Sequence, residues 1–212
     1  MVYVVNLSQL HWACMLVSWG FLLPAGAIIA RFMKHRPNGT WYKIHRIVQP
    51  LGLVIALIGW IVAICHYGPS VFSDYGQNNF RHACCGTTVM ILGLLQPLNA
   101  FVRPHHDASS SEDKSKTRCM WEILHKGSGW LAIVLAIFTI GLGLSLLKPS
   151  HLPPFLYSYV AELSLLLLLI AFIFYDKHTY NNSTNNNKVE EVEEVGEVVQ
   201  MDATDEEAIS NA

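Results

Sequence analysis

Five long apolar runs, a low content of charge and a one-sided placement of Lys and Arg predict an all-α polytopic membrane protein built as a bundle of five transmembrane helices. Of the 212 residues, 52% are hydrophobic and 14% charged, whereas soluble domains carry about a quarter charged residues. A helix needs about 20 residues to cross the hydrocarbon core of a bilayer. Runs of that order occur at 10–30, 47–65, 84–102, 131–147 and 155–175, the fourth extending backwards through 125–130. This composition excludes a soluble globular fold, and nothing in it points to a nucleic-acid partner.

Taken in order, the helices are expected at 9–31, 42–66, 81–102, 122–147 and 155–175, within a membrane domain covering 1–178. The first run follows an N-terminus without a basic segment and is long enough to stay in the membrane as a signal anchor, so no cleavable signal peptide is expected. Pro24 and Pro97 predict local kinks. The stretch between the first two helices holds Arg31, Lys34, Arg36, Lys43 and Arg46, and that between the third and fourth holds Arg103, Lys114, Lys116, Arg118 and Lys126. The opposite side has only Arg81 and Lys148. Because cytoplasmic loops retain the positive charge, the N-terminus is expected outside the cytosol and the C-terminus inside it.

From Asp176 onward the chain carries ten acidic residues against Lys177 and Lys188. An Asn-rich and then acidic segment buries too little apolar surface to fold alone, so 179–212 is expected to be a disordered cytosolic tail. The five cysteines suggest no disulfide framework, and Cys119, near the cytosolic face, is a candidate for palmitoylation. Asn6-Leu7-Ser8 matches a glycosylation sequon but lies too close to the first helix for use to be expected.

Four histidines, His11, His45, His82 and His125, each lie near the start of a different apolar run. Polar side chains are costly in a bilayer, and an intramembrane histidine is a functional candidate by default. Successive helices alternate in direction, so His11 and His82 fall at the outer level and His45 and His125 at the inner. With a rise of about 1.5 Å per residue, histidines at opposite levels are too far apart to share a ligand. The alternation therefore predicts a His11/His82 pair outside and a His45/His125 pair inside. Haem is the cofactor that takes two axial histidines, so a four-helix core holding two bis-histidine haems follows.

Gly86, Gly129 and Gly52 lie on or near the ligand faces, where they make room for a porphyrin or simply pack helices. Arg46 and Arg81 adjoin the ligand positions, suited to a haem propionate or to snorkelling at the interface. Gln49 and Gln96 either hold a ligand imidazole or bridge helices. Glu122 precedes His125 by three residues, and Glu162 lies within the fifth run with no partner the sequence can name. His66 competes for an outer ligand position. His35, His105, His106, His151 and His178 are expected to be solvated.

The pattern His11, Trp19-Gly20, Pro24-x-Gly26 and Ala30-Arg31, then Trp41-Tyr42-x-x-His45 and Gln49, then Arg81-His82, Gly86, Gln96-Pro97 and Arg103-Pro104, then Trp121, His125 and Gly129 resembles the cytochrome b561 family. The resemblance covers residues 8–175 and is nearest the five-helix plant-type form; neither a DOMON domain nor a sixth helix is expected in these 212 residues. It implies two haem b groups on the same four histidines, His11 with His82 and His45 with His125. It also implies a transmembrane electron-transfer oxidoreductase, passing electrons from a cytosolic reductant, commonly ascorbate, to an acceptor such as monodehydroascorbate or a ferric chelate.

Arg31, Lys34 and Lys43 supply a cationic surface on the cytosolic side, suited to an ascorbate monoanion. The expected partners are thus a small-molecule donor and acceptor, with a homodimer left open. Two other classes compete: a redox-inactive b561-like scaffold, and a metal or proton transporter. A transporter would place its polar groups near mid-membrane, whereas these histidines cluster toward the faces.

Overall fold

The computed structural model describes residues 6–72, 76–104, 116–147, 149 and 152–210. Five helices follow one another without a strand among the described residues: α1 (Leu7–Phe32), α2 (Thr40–Tyr67), α3 (Gly76–Phe101), α4 (Lys116–Leu144) and α5 (Leu152–Ser210). All five are long and apolar enough to cross a membrane, so the protein is an all-α integral membrane protein.

α1 opens on an N-cap: the Asn6 side chain accepts a hydrogen bond from the Ser8 amide at 3.1 Å, supplying one of the acceptors that a helix start lacks. Between Leu16 and Leu22 the backbone loosens into a π-helical turn before regular α-helix resumes at Leu23. Ser18 Oγ donates back to the Cys14 carbonyl at 2.7 Å. Pro24 sits at the start of the regular segment, where its missing N–H is least harmful. The chain then turns through Asn38 and Gly39, both left-handed with φ of 60° and 63°, residue types that tolerate this conformation.

α1 is the centre of the bundle. Half of its most apolar window is buried, against 28% for α4, 17% each for α2 and α3, and 6% for α5. Its neighbours turn opposite faces to lipid: on α2 the exposed residues Ile47, Leu51, Val54, Ile58 and Ile61 recur every three or four positions. Small residues let the backbones approach. Gly59 of α2 faces Cys14, Gly52 faces Leu22 and Leu23, and Gly93 of α3 faces the Trp19 indole. Membrane helices associate through such close packing because lipid offers no hydrophobic drive between them.

α5 lies along α1 through Phe155, Tyr159, Leu166, Leu169 and Ile173, positions separated by three, four or seven residues, which keeps one face on a neighbouring helix. Asp176 continues this face. It is 7% exposed and accepts hydrogen bonds from Arg36 Nε at 2.8 Å, from Arg36 Nη2 and from His35 Nε2 at 2.8 Å. His35 is therefore not the solvated residue its polar neighbours suggested, and Asp176 is not a solvated member of the acidic stretch. Together they tie the turn between α1 and α2 to α5. The α5 backbone continues as helix to Ser210, through residues whose composition alone favours disorder. A helix already formed in the membrane extends without a new nucleation cost, and Glu is a good helix former.

Candidate functional site

Two histidines, from α1 and α3, meet toward one end of the bundle. The His11 and His82 rings have centroids 6.2 Å apart and planes at 89°. An iron bound to one nitrogen of each imidazole at about 2 Å, on opposite sides, sets the ring centroids about 6 Å apart. The pair thus stands at the spacing of two axial ligands. Both histidines line a cavity of about 540 Å³, walled mainly by apolar side chains that include Leu16, Val89, Met90 and Ile140, a size and character suited to a cofactor.

Each ring is aimed by a backbone carbonyl. His11 Nδ1–H donates to Gly59 O at 2.9 Å and His82 Nδ1–H to Thr139 O at 3.1 Å. A carbonyl can only accept, so the proton sits on Nδ1 and the lone pair of Nε2 stays available to a metal. Thr139 presents its carbonyl to His82 while its own hydroxyl donates to Leu135 O at 2.7 Å. Gly86 and Gly143 line the same cavity. A Cβ added at Gly143 would come within 3.2 Å of His82 Cε1, so the absence of a side chain there gives the ring its room.

Toward the other end of the bundle, His45 Nδ1–H donates to Gly26 O at 3.0 Å, again leaving Nε2 free. His125 lies within electrostatic reach of His45, Lys126 and Arg103. Its ring is stacked on Trp121, with centroids 5.1 Å apart and planes at 7°. The Trp121 indole donates to Asn99 O at 2.7 Å, and the Arg103 and Arg118 guanidinium groups lie 5.7 and 5.6 Å from its centroid. His125 Nδ1 is buried without a hydrogen-bond partner among the described residues. His45 is therefore aimed by a carbonyl and His125 by a stacked indole, whereas His11 and His82 are each aimed by a carbonyl.

The other positions singled out from the sequence sort as follows. Arg31, Lys43, Arg46 and Arg81 are exposed; Arg81 reaches Gln77 at 3.5 Å, and Lys34 lies over the Trp41 ring at 5.8 Å. Gln49 bridges α2 to α1 through Leu23 O at 2.9 Å, and Gln96 bridges α3 to α4 through Ser128 Oγ at 2.9 Å. Gly52 packs against Leu23 and Gly129 faces Gln96, so these two serve helix contacts, while Gly86 lines the cavity. His66 is exposed beside Tyr67 and is not among the cavity residues. His105, His106 and His151 lie outside the described residues. The carbonyls of Gly26, Gly59 and Thr139, and the stacked Trp121, are site features that residue identity alone did not reveal.

Residues 10–148 match the eukaryotic cytochrome b561 family. A cytochrome b561, DM13 and DOMON domain-containing protein of Arabidopsis thaliana is 34% identical over 134 residues, 63% of this chain and 14% of that protein. A cytochrome b561 and DOMON domain-containing protein of the same plant is 34% identical over 144 residues, 68% of this chain and 36% of its own length. A putative ferric-chelate reductase 1 of Xenopus laevis is 27% identical over 145 residues, 65% of this chain and 22% of that protein. The chain thus spans between 14% and 36% of the length of these relatives. No solved structure matches it. With its membrane helices and the matched segment enclosing all four intramembrane histidines, the chain belongs to the eukaryotic cytochrome b561 family, membrane electron-transfer proteins whose cofactor is haem b.

Proposed function

We propose that the chain binds two haem b groups, His11 and His82 ligating the outer and His45 and His125 the inner, and that it carries electrons across the membrane. The observation that supports this most is the outer pair: two imidazoles 6.2 Å apart, each with Nδ1 donating to a carbonyl, on one apolar cavity. When bound, each haem supplies a one-electron iron couple. The protein's part is placement. Two imidazoles on one haem would leave no position for an exogenous ligand, and the carbonyls of Gly59, Thr139 and Gly26 fix tautomer and ring orientation. Along α1, His11 and the Gly26 carbonyl that aims His45 are fifteen residues apart in sequence, about 22 Å at helical rise, so the two levels lie in different leaflets.

The Lys and Arg distribution favours an N-terminus outside the cytosol and a cytosolic C-terminus. The inner pair then faces a cytosolic donor. Arg31, Lys34 and Lys43 make that face cationic and favour an anionic reductant such as ascorbate, while Arg46 and Arg81 are suited to haem propionates. The acceptor on the other side is monodehydroascorbate or a ferric chelate, the latter favoured by the name of the Xenopus relative.

Haem quantitation and reduced-minus-oxidised spectra of the purified protein test the reading. Two bis-histidine haems per chain are expected, with ascorbate reducing both. His45→Ala is expected to remove the inner centre alone, halving the haem content; a wild-type protein with fewer than two haems would refute the ligand assignment.

A further inference from the structure

The face of α5 that packs on α1 contains two carboxylates, and they are served very differently. Asp176, at the cytosolic end, is held by Arg36 and His35. Glu162, fourteen positions earlier on the same face, has no cation: its Oε2 is buried without a hydrogen-bond partner among the described residues. What it meets is the backbone of Gly20, where an added Cβ would collide with the carboxyl group. Gly20 lies in the π-helical turn of α1, nine residues from His11 and six from Gly26, or about 13 and 9 Å along the axis. Glu162 therefore stands near mid-membrane, between the two histidine levels. Above it lies Tyr159 and below it Leu166, members of the two apolar clusters that close the seam.

A carboxyl in this position is a costly feature for ordinary packing, and a membrane interior retains such groups mainly where charge or protons move. On α1, the helix packed against it, residues 16–30 include no charged side chain. On its own helix, Tyr159 is the titratable side chain nearest it in sequence. Under the haem assignment, the variable charges flanking Glu162 along α1 would be those of the groups held at the two histidine levels. We infer that Glu162 is a redox-linked proton site: it binds a proton when the haems are reduced and releases it when they are oxidised.

The inference rests on the haem assignment proposed above. The step balances simply. With haem bound, the electron given up by the cytosolic donor would rest on the iron, while a hydronium ion of the aqueous phase breaks one O–H bond to become water and its proton forms an O–H bond on the Glu162 carboxylate. Oxidation by the acceptor removes the electron and breaks that O–H bond, returning the proton. The sign follows from electrostatics: a ferric centre, with one more positive charge, favours the ionised carboxylate, and its reduction withdraws that support. By linkage, the midpoint potential falls as pH rises over the range in which Glu162 titrates.

The test is redox titration of the purified two-haem protein at a series of pH values, paired with proton uptake on reduction measured by an indicator dye. Wild type is expected to take up a fraction of a proton per chain through Glu162. Glu162→Gln is expected to lose that fraction and to flatten the pH dependence of the potential, while keeping both haems. Glu162→Asp, which retains a carboxyl, is expected to restore part of the uptake and serves where the Gln variant does not assemble. Equal proton uptake and equal pH dependence in wild type and Glu162→Gln would overturn the assignment, as would a wild type that takes up no proton. A wild type lacking two haems would instead defeat the haem assignment beneath it, so the two failures are told apart.

Discussion

An alanine at position 59 is expected to empty the outer haem site while leaving the inner one filled. Gly59 serves that site twice: its carbonyl aims His11 from 2.9 Å, and its missing side chain lets α1 and α2 touch. An added Cβ would lie 2.7 Å from Cys14 Cβ and 3.3 Å from Met15 Cε, where carbon atoms normally rest about 3.5–4.0 Å apart. Met15 can swing its flexible end away. Cys14 Cβ is fixed to its backbone, so relief requires the two helices to part by about 1 Å. Overpacking of this kind costs about 1–3 kcal/mol.

The same movement stretches the His11 hydrogen bond toward about 4 Å, beyond useful length, and shifts the ring off the axis it shares with His82. Haem content of the purified variant should fall from two per chain toward one. The centre that remains should be the one that His45→Ala removes, identified by its spectrum and potential. Gly141→Ala is the matched control, since a Cβ there meets nothing within 4 Å. Two haems with unchanged spectra and potentials in Gly59→Ala would refute the assignment of this contact to the outer site.

Trp121→Ala should weaken the inner site, because stacking on the indole is what positions a His125 ring whose Nδ1 lacks a hydrogen bond. With stacking worth about 0.5–1.5 kcal/mol, haem loss to a scavenger protein should become about 2- to 12-fold more favourable, with Trp121→Phe largely preserving retention; unchanged retention in the Ala variant would count against the stacking role. Orientation can be read from two native thiols, since Cys65 and Cys119 are free and exposed at opposite ends of the bundle. A membrane-impermeant maleimide should reach Cys119 from the cytosolic side and Cys65 from the other, and the reverse pattern would invert the topology.

The helices were legible because bilayer crossing demands length and apolarity, which a sequence displays directly. The expectation that His11 and His82 share one level and His45 and His125 the other came from alternation of helix direction, which converts positions along the chain into depth. What stayed hidden were contacts made by generic groups or by residues far apart. Every residue has a carbonyl, so nothing in the sequence marks those of Gly26, Gly59 and Thr139 as the ones that aim imidazoles. His35 and Asp176 lie 141 positions apart, and each has polar neighbours that disguise its burial. Gly52 shares a helix face with His45 to a first approximation, yet its neighbours are Leu22 and Leu23, because packing along α1 decides what meets it. The π-helical turn has no signature in composition at all.

That turn sets the phase of the molecule. His11 lies on one side of it, and the Gly26 carbonyl that aims His45 on the other, so a single helix carries a working part of both levels. Removing one residue between 16 and 22 would rotate one end of α1 relative to the other by about 100°. Either His11 would leave its partner or Gly26 would leave His45. The spacing of the two levels and their relative rotation are thus held in one seven-residue segment, much as a key on a shaft holds two wheels in time.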